Sequence, residues 1–463
     1  MKRRLGLVIL IFGLVYGGLI FRLYQLQIQQ GASFFQQVAD RENYLQSNVF
    51  QRATISATDR DQNSIPVAIN KENNLQNPRY YPLQNLAAQT IGFVGVNKDN
   101  DKPTGLYGLE KFYNTQLIAN NDLKLTLDVN LQKQAETTLD NLIKNFKATG
   151  GTIIIQKPTT GEILTLVNKP DFNPNNYSQY LVSSFLNPAV QGLYEPGSVF
   201  KIITMAAGLE SGKFTPETTF FDTGSVTLNG KTIENWDKKA YGKITMTNVI
   251  EGSINTGAVW AEKTIGHDLF YNYLLKFGFG DKTGVDLPNE EKGNLSNLKS
   301  KKAQDIDFAT ASFGQGVAIT PLELISAFSA IANGGNLMRP YLNSELKPKI
   351  LRKVISTTTC QKLKTMMISA VDKAEVAAIP NYQVAGKTGT AQVADSQNGG
   401  YGSDIIDSYI GFAPANQPAF TILIKLDKPQ GAPLAGVTVV PAFKDLAQFV
   451  LNYYNIPPDK LSL

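Results

Sequence analysis

The feature that most constrains this chain is a Pro-Gly turn followed at once by an apolar run with helical spacing, within residues 194–207. The pattern predicts that a helix starts directly after the turn and that Ser198 lies in its first turn. Backbone N–H groups lack helical partners there, and the helix dipole is positive. Lys201 follows three residues later and so lies on the same helix face. This spacing lets a lysine amine take the proton of the serine hydroxyl without a histidine, and the chain has only one, His267.

The pattern Ser-x-x-Lys alone is a weak signal, because it occurs twice more, at Ser296–Lys299 and Ser344–Lys347. Both of these lie in polar sequence flanked by Gly or Pro, without an apolar helix behind them. That context is typical of a solvated surface. The helix that follows Ser198 therefore distinguishes it from the other two.

Two further elements follow Ser198 in order. The first is Ser253-Ile254-Asn255, which comes after a helix-like stretch that ends in Gly. The second is the Lys-Thr-Gly-Thr segment Lys387–Thr390, in a strand-like stretch whose small residues let a ligand backbone approach. Another Lys-Thr-Gly, Lys282–Gly284, lies in a Gly- and Asp-rich loop. Another Ser-x-Asn, Ser396–Asn398, comes after the Lys-Thr-Gly-Thr segment, so it is in the wrong order. The order of the three elements matches that of the penicillin-recognising acyltransferases.

With these motifs the chain resembles the class B penicillin-binding proteins, which are monofunctional peptidoglycan transpeptidases. The resemblance covers nearly the whole chain, and its motifs are specific because several are long and all fall in order. One departure lies near Arg52, where the chain has Arg52-Ala53 and the family usually has Arg-Gly before a short Asp-Arg-Asn-Gly turn. The other matching segments are residues 105–110, 125–128, 187–190, 235–237, 241–242, 312–316 and 320–321.

The resemblance implies acyl transfer through a covalent serine ester. Ser198 would attack the carbonyl between the last two D-Ala residues of a stem peptide, and a neutral Lys201 would act as its base. Burial and nearby positive charge both lower a lysine pKa, and Lys387 could supply that charge. Asn255 would hold Lys201 and contact the substrate amide. Ser253 would relay a proton to the leaving amine.

The resemblance also implies how the substrate is bound. Lys387 would attract the terminal carboxylate, and the hydroxyls of Thr388 and Thr390, on either side of Gly389, would hydrogen-bond it. Backbone N–H groups of Ser198 and Thr390 would form an oxyanion hole, in which one donor is worth about 3 kcal/mol of barrier.

Strand-like segments at both ends of the C-terminal region, with helices between them, predict an α+β fold with a mostly antiparallel sheet flanked by helices. The resemblance implies the penicillin-binding-protein/serine β-lactamase-like transpeptidase fold, with a five-stranded sheet, a helical subdomain and the active site between them. The predicted strands are residues 152–156, 162–167, 382–393, 408–412 and 420–426, and the predicted helices include residues 131–146 and 441–455. We expect a cytoplasmic tip and anchor at 1–22, a stalk and non-catalytic module at 23–128, and a transpeptidase domain at 129–463.

The N-terminus predicts a membrane anchor. Lys2-Arg3-Arg4 precede an uncharged apolar run, Leu5–Phe21, which is near the short end of the roughly 20 residues that span a bilayer. The basic residues predict a single pass of the cytoplasmic membrane with the N-terminus inside and the enzyme outside. No small-x-small cleavage pattern follows, so an uncleaved anchor is favoured over a signal peptide.

Composition excludes several other classes. The net charge of +5 comes without a basic stripe interleaved with aromatic residues, so no nucleic-acid partner is expected. A single cysteine, Cys360, permits no intrachain disulfide. No Cys/His cluster indicates zinc, so we expect neither a metal nor a cofactor.

The predicted function is a peptidoglycan D,D-transpeptidase that cross-links stem peptides. Asn255 favours septal synthesis, because division-type members commonly have Asn where many elongation-type members have Asp. The expected partners are D-Ala-D-Ala stem peptides, β-lactams, the membrane, a glycan-polymerising enzyme and division proteins.

Several alternatives stay open at this point. An elongation-type transpeptidase and a D,D-carboxypeptidase share the motifs. A β-lactamase would need an extra deacylating carboxylate, for which no motif is found. A non-enzymatic β-lactam sensor or divisome scaffold would be expected to lose a motif or carry a signalling domain.

Overall fold

A computed structural model describes residues 2–37, 52–71, 79–96, 103–394, 400–431 and 434–460. The N-terminal apolar run lies in helix α1, Lys2–Tyr24, and the helical path continues through a π-helical turn, Gln25–Gln29, to helix α2 at residues 31–37. Within these ranges, none of the helices combines the length and the apolarity needed to cross a membrane. The anchor predicted for Leu5–Phe21 therefore stays a prediction. The end of the predicted stalk, residues 38–46, lies outside the described residues.

The described residues between 52 and 128 form short strands and short helices. The strands are β1 Ile55–Thr58, β2 Ser64–Asn70, β3 Arg79–Tyr80, β4 Val94–Val96, β5 Pro103–Gly105 and β6 Leu123–Asp128, and the helices are α3 Ala88–Ile91, α4 Gly108–Phe112 and α5 Asn114–Ile118. A four-stranded sheet has the order β3-β2-β1-β6, in which only the pair β1 and β6 is parallel.

A buried group of three charges lies inside this part of the chain. Arg52 Nε donates to Glu110 Oε2 at 2.5 Å, and Arg79 Nε donates to Glu110 Oε1 at 2.7 Å. None of the three side chains is more than 1% exposed.

The turn between β1 and β2 forms despite its departure from the family pattern, because the Asp59 carboxylate accepts from the N–H groups of Asp61 and Asn63.

Residues 129–460 contain the largest sheet. The helices are α6 Val129–Phe146, α7 Pro188–Gln191, α8 Lys201–Glu210, α9 Met246–Glu251, α10 Asn255–Ile265, α11 His267–Lys276, α12 Ser296–Lys299, α13 Asp305–Ala311, α14 Pro321–Ala332, α15 Thr357–Ala374 and α16 Val439–Tyr453, with 3₁₀ turns at Pro174–Gln179, Val182–Phe185 and Gly197–Phe200. The strands are β7 Gly150–Gln156, β8 Ile163–Lys169, β9 Thr219–Asp222, β10 Ser225–Leu228, β11 Lys231–Glu234, β12 Gly242–Thr245, β13 Asn336–Met338, β14 Ile350–Lys353, β15 Ala385–Ala394, β16 Tyr401–Ala413 and β17 Phe420–Asp427.

The main sheet has five strands in the order β15-β16-β17-β7-β8, and every neighbouring pair is antiparallel. This confirms the predicted sheet. Successive side chains of a strand point to opposite faces. Accordingly, Ile153 and Ile155 of β7 belong to the core formed with α6 and α16, whereas Ile154 belongs to the core that contains α8 and α14.

The second of these cores is continuous with the N-terminal part of the chain. Ile55 of β1 and Leu125 of β6 lie in the same buried cluster as Phe200 and Ile410. The two parts are also joined by backbone, since Thr126 N–H donates to the carbonyl of Leu342 at 2.7 Å. β15 is the outer strand at the opposite end of the sheet from β8. Its outer edge contacts the turn that carries Ser198.

Candidate active site

The turn before α8 brings three backbone segments together. Gly197 has φ +62, and a Cβ at this position would lie 3.0 Å from Ala391 Cβ and 3.2 Å from the carbonyl oxygen of Thr390. A Cβ on Gly314, which has φ +80, would lie 2.3 Å from the carbonyl oxygen of Gly197. Glycine is needed at both positions because its lack of a side chain permits positive φ and close backbone approach. Ser198 then begins the helical path into α8, as predicted, at the edge of β15.

Lys201 is the most completely buried charged group of the site, with 0% of its surface exposed. Its Nζ donates to the carbonyl oxygen of Ser253 at 2.5 Å and to Asn255 Oδ1 at 2.8 Å, and it lies 3.2 Å from Ser253 Oγ. Burial, and after it the positive charge of Lys387, holds the pKa of Lys201 well below its usual range. The amine is therefore driven toward its neutral, proton-accepting form.

Ser253 connects the two lysines. It lies between α9 and α10 with φ +55, a conformation that is uncommon for a residue other than glycine and is found at functional sites. Its hydroxyl accepts from Lys387 Nζ at 3.0 Å. Asn255 is fixed in turn, because its amide nitrogen donates to the carbonyl oxygen of Glu234 at 2.8 Å while its oxygen accepts from Lys201.

Lys387 on β15 is 3% exposed, and its Nζ also donates to the carbonyl oxygen of Thr388 at 3.1 Å and to Thr388 Oγ1 at 3.2 Å. Burial lowers the pKa of Lys387 to about 7. A Cβ on Gly389 would lie 2.5 Å from Ser408 Oγ and 2.9 Å from the carbonyl oxygen of Pro196. Glycine at this position therefore lets β15 lie directly against the turn that carries the serine.

The structure thus brings together the predicted cluster of Lys201, Ser253, Asn255, Lys387 and Thr388. One predicted contact, the hydrogen bond between the Ser198 hydroxyl and Lys201, is not formed. The Ser198 hydroxyl makes no hydrogen bond to another described residue, including Lys201. Catalytic hydrogen bonds often tighten only when substrate is bound, so this does not remove Lys201 as the candidate base.

Two carboxylates beside the site escaped the sequence analysis. Thr390 Oγ1 donates to Asp407 Oδ1 at 2.9 Å. Glu195 directly precedes the Pro-Gly turn and accepts from the Tyr401 hydroxyl and from the N–H of Gly316, both at 2.9 Å. The usable signal for Asp407 was an acidic residue directly before the stretch 408–412 that was predicted as a strand. The signal for Glu195 was its place beside the turn.

The competing motifs lie in other surroundings. Ser296–Lys299 forms the short helix α12, on which the serine and lysine are exposed, and Ser344–Lys347 follows no helix. Lys282–Gly284 is a loop, in which Thr283 donates to Glu290. The late Ser396–Asn398 segment lies outside the described residues.

No group of three His, Cys, Asp or Glu side chains in the described ranges could hold a metal ion. A cavity of about 520 Å³ lies between β1, β6, β8 and β17, and none of the predicted site residues lines it.

Comparison with known proteins assigns the chain to a family. Residues 151–448 match the penicillin binding protein transpeptidase domain. The stage V sporulation protein D of Bacillus subtilis is 33% identical over an alignment of 428 positions that covers 82% of this chain and 65% of that protein. The peptidoglycan D,D-transpeptidase FtsI homolog of Mesostigma viride is 30% identical over an alignment of 451 positions that covers 83% of this chain and 74% of that protein. The crystal structure of penicillin binding protein 3 of Mycobacterium tuberculosis complexed with ampicillin has a TM-score of 0.77 at 28% identity, and the match covers 88% of this chain and 96% of that chain.

The chain belongs to the penicillin-binding protein transpeptidase family. The resemblance to class B members of division type and the predicted α+β transpeptidase fold are confirmed. The chain spans less than two thirds of the length of the sporulation protein and about three quarters of the algal relative.

Proposed function

We propose that this chain is a serine-type peptidoglycan D,D-transpeptidase that cross-links stem peptides during septal wall synthesis. The observation that carries the proposal is the buried Lys201 amine, hydrogen-bonded to Ser253 and Asn255 and placed one helical turn after Ser198. The names of the relatives, a D,D-transpeptidase among them, support the same activity.

Lys201 is the base of the proposed acylation step. A neutral amine has two N–H donors and one lone pair. The two donors satisfy the carbonyl of Ser253 and the amide oxygen of Asn255, and the lone pair can accept a proton. Ser253 Oγ lies 3.2 Å from Nζ, close enough to receive that proton in the next step. Ser198 Oγ forms a bond to the carbonyl carbon of the penultimate D-Ala and gives its proton to Lys201 Nζ.

Collapse of the tetrahedral intermediate completes the ester. The bond between the carbonyl carbon and the nitrogen of the terminal D-Ala breaks. The proton held by Lys201 passes through the Ser253 hydroxyl to the leaving nitrogen. The nitrogen of a second stem-peptide amine then forms a bond to the ester carbonyl carbon and gives a proton to Lys201 Nζ. The bond between that carbon and Ser198 Oγ breaks, and the proton passes from Lys201 to Ser198 Oγ, which completes the cross-link and restores Ser198. The N–H groups of Ser198 and Thr390 hold the developing oxyanion in both steps.

Binding of the stem peptide that donates the acyl group depends on Lys387 in this proposal. Its ammonium attracts the terminal carboxylate, and Thr388 supplies a hydroxyl beside it. Thr390 stays in the proposed binding set as well, although its hydroxyl is hydrogen-bonded to Asp407. β-Lactams carry the same carboxylate beside a reactive carbonyl, so they are expected to acylate Ser198.

We also propose that residues 1–22 anchor the chain in the cytoplasmic membrane with the N-terminus inside, and that residues 23–128 hold the transpeptidase region 129–463 near its substrate. The support is Lys2-Arg3-Arg4 before the apolar run, together with exposed apolar side chains on several faces of α1, from Phe12 to Tyr24. A glycan-polymerising enzyme and division proteins are the proposed partners. Carbonate extraction of native membranes should leave the chain in the pellet, and a mature N-terminus beyond Phe21 would contradict the anchor.

The activity is tested by supplying the full chain with lipid-linked precursor and a glycan polymerase. The wild type should form cross-linked stem peptides. Lys201→Ala should lower the rate by about 10²–10⁴-fold, as expected for loss of a general base, and unfold at an unchanged temperature. Ser296→Ala, in the exposed α12 motif, is the matched control and should keep full activity. Stem peptides shortened by one D-Ala without cross-links would show a carboxypeptidase instead, and acylation without any product would show a sensor.

A further inference from the structure

Asp407 is a buried carboxylate on β16, directly opposite Thr390 of β15. The two residues are paired across the strands, and Asp407 is 0% exposed. Its Oδ1 accepts from Thr390 Oγ1 at 2.9 Å, and its Oδ2 accepts from Thr438 Oγ1 at 2.7 Å. Among the described residues, no lysine, arginine or histidine forms an ion pair with it. The Asp407 carboxyl group is therefore hydrogen-bonded by two threonine hydroxyls.

These contacts determine how the Thr390 hydroxyl is oriented. The Thr390 hydroxyl donates to Asp407, so its proton points at that carboxyl group. The Thr390 oxygen also accepts from the N–H of Ala435 at 3.2 Å. The side chain is thereby held from two sides. Burial raises the pKa of Asp407, and the hydrogen bonds from Thr438 and Thr390 oppose that rise.

The backbone of Thr390 is where this orientation matters. Its carbonyl oxygen lies 3.2 Å from the position of a Cβ on Gly197, so the strand abuts the serine turn at this residue. The N–H of Thr390 is the proposed second donor of the oxyanion hole. Displacing a catalytic group by about 1 Å can cost about 10²-fold in rate.

We propose that Asp407 is a positioning residue for acyl transfer, which holds the β15 backbone against the serine turn through the Thr390 hydroxyl. The inference rests on the proposed transpeptidase function and deepens it. The proposal explains why Asp407, a buried aspartate with no ion-pair partner among the described residues, lies on a strand outside the three motifs.

The test measures acylation of the full chain by a fluorescent penicillin, with the first-order acylation constant separated from the dissociation constant of the initial complex. Asp407→Ala should lower the acylation constant by about tenfold or more and leave the dissociation constant within about threefold. Asp407→Asn should stay within about threefold of the wild type, because its oxygen still accepts from Thr390 and its nitrogen can donate to Thr438. Thr438→Val removes the other hydrogen bond and is the matched control, expected to stay within the same range.

A double-mutant cycle tests whether Asp407 acts through Thr390. Thr390→Val should lose at least as much as Asp407→Ala, and Asp407→Ala in the Thr390→Val background should cause no further loss. Additive losses, or an Asp407→Asn loss equal to that of Asp407→Ala, would overturn the proposal. If Asp407→Ala does not fold, Asp407→Val, which also lacks an acceptor for Thr390, takes its place, and an acylation constant within about threefold of the wild type would overturn the proposal. Failure of the proposed function is distinguishable, because the wild type itself would then form no acyl-enzyme.

Discussion

The buried Lys387 predicts an unusual pH dependence of acylation. Because its pKa is lowered to about 7, the amine is about half charged at pH 7, and its charged fraction falls about fivefold by pH 8 and about tenfold for each pH unit beyond that. Carboxylate binding requires the charged form. The second-order rate constant for acylation should therefore fall about fivefold between pH 7 and pH 8 and about tenfold more by pH 9. Burial and the positive charge of Lys387 also hold the pKa of Lys201 well below its usual range, so its amine becomes neutral at a lower pH than an ordinary lysine.

The assay is stopped-flow acylation by a fluorescent penicillin between pH 5.5 and 9.5. Lys387→Arg keeps the charge throughout this range, so its alkaline decline should disappear even if the absolute rate is lower. A β-lactam with an esterified carboxylate should show no alkaline decline with the wild type, because it has no anion for Lys387 to bind. A flat wild-type profile up to pH 9.5, or the same decline in Lys387→Arg, would refute the reasoning.

Two further predictions concern other lysines and the N-terminal part of the chain. Lys282→Ala, in the exposed loop motif, should leave the second-order acylation constant within about twofold, whereas Lys387→Ala should lower it by about 10²-fold; equal losses would show that the wrong Lys-Thr-Gly was chosen. Glu110→Gln should lower the free energy of unfolding in urea by about 3–5 kcal/mol, because it leaves two buried arginines without their counter-charge. The exposed Glu345→Gln should change it by no more than about 0.5 kcal/mol, and a similarly small loss for Glu110→Gln would contradict the account.

The sequence predicted those parts of the site that depend on local pattern. The turn before Ser198 was predictable because Gly197 needs positive φ and is followed by an apolar helix. The strands that became β7 and β17 were predictable because both are continuous apolar runs buried on two faces.

Features that depend on strand register were not predictable in the same way. β16 was predicted as residues 408–412, but it begins at Tyr401, because its first half is polar and gains its strand character only by pairing with β15. The contact between Asp407 and Thr390 follows from that pairing. Likewise, the left-handed conformation of Ser253, which lies between α9 and α10, has no marker in the sequence.

The most direct test of the central claim is to identify the residue that carries the acyl group during cross-linking. The full chain is mixed with a stem-peptide donor ending in D-Ala-D-Ala, quenched before the acceptor amine is added, and mapped by peptide mass analysis. A second portion receives the acceptor amine and is analysed for product. The account predicts an ester on Ser198, transfer of that acyl group to the amine, and neither event in Ser198→Ala. An adduct on another residue, or cross-linked product from Ser198→Ala, would contradict it.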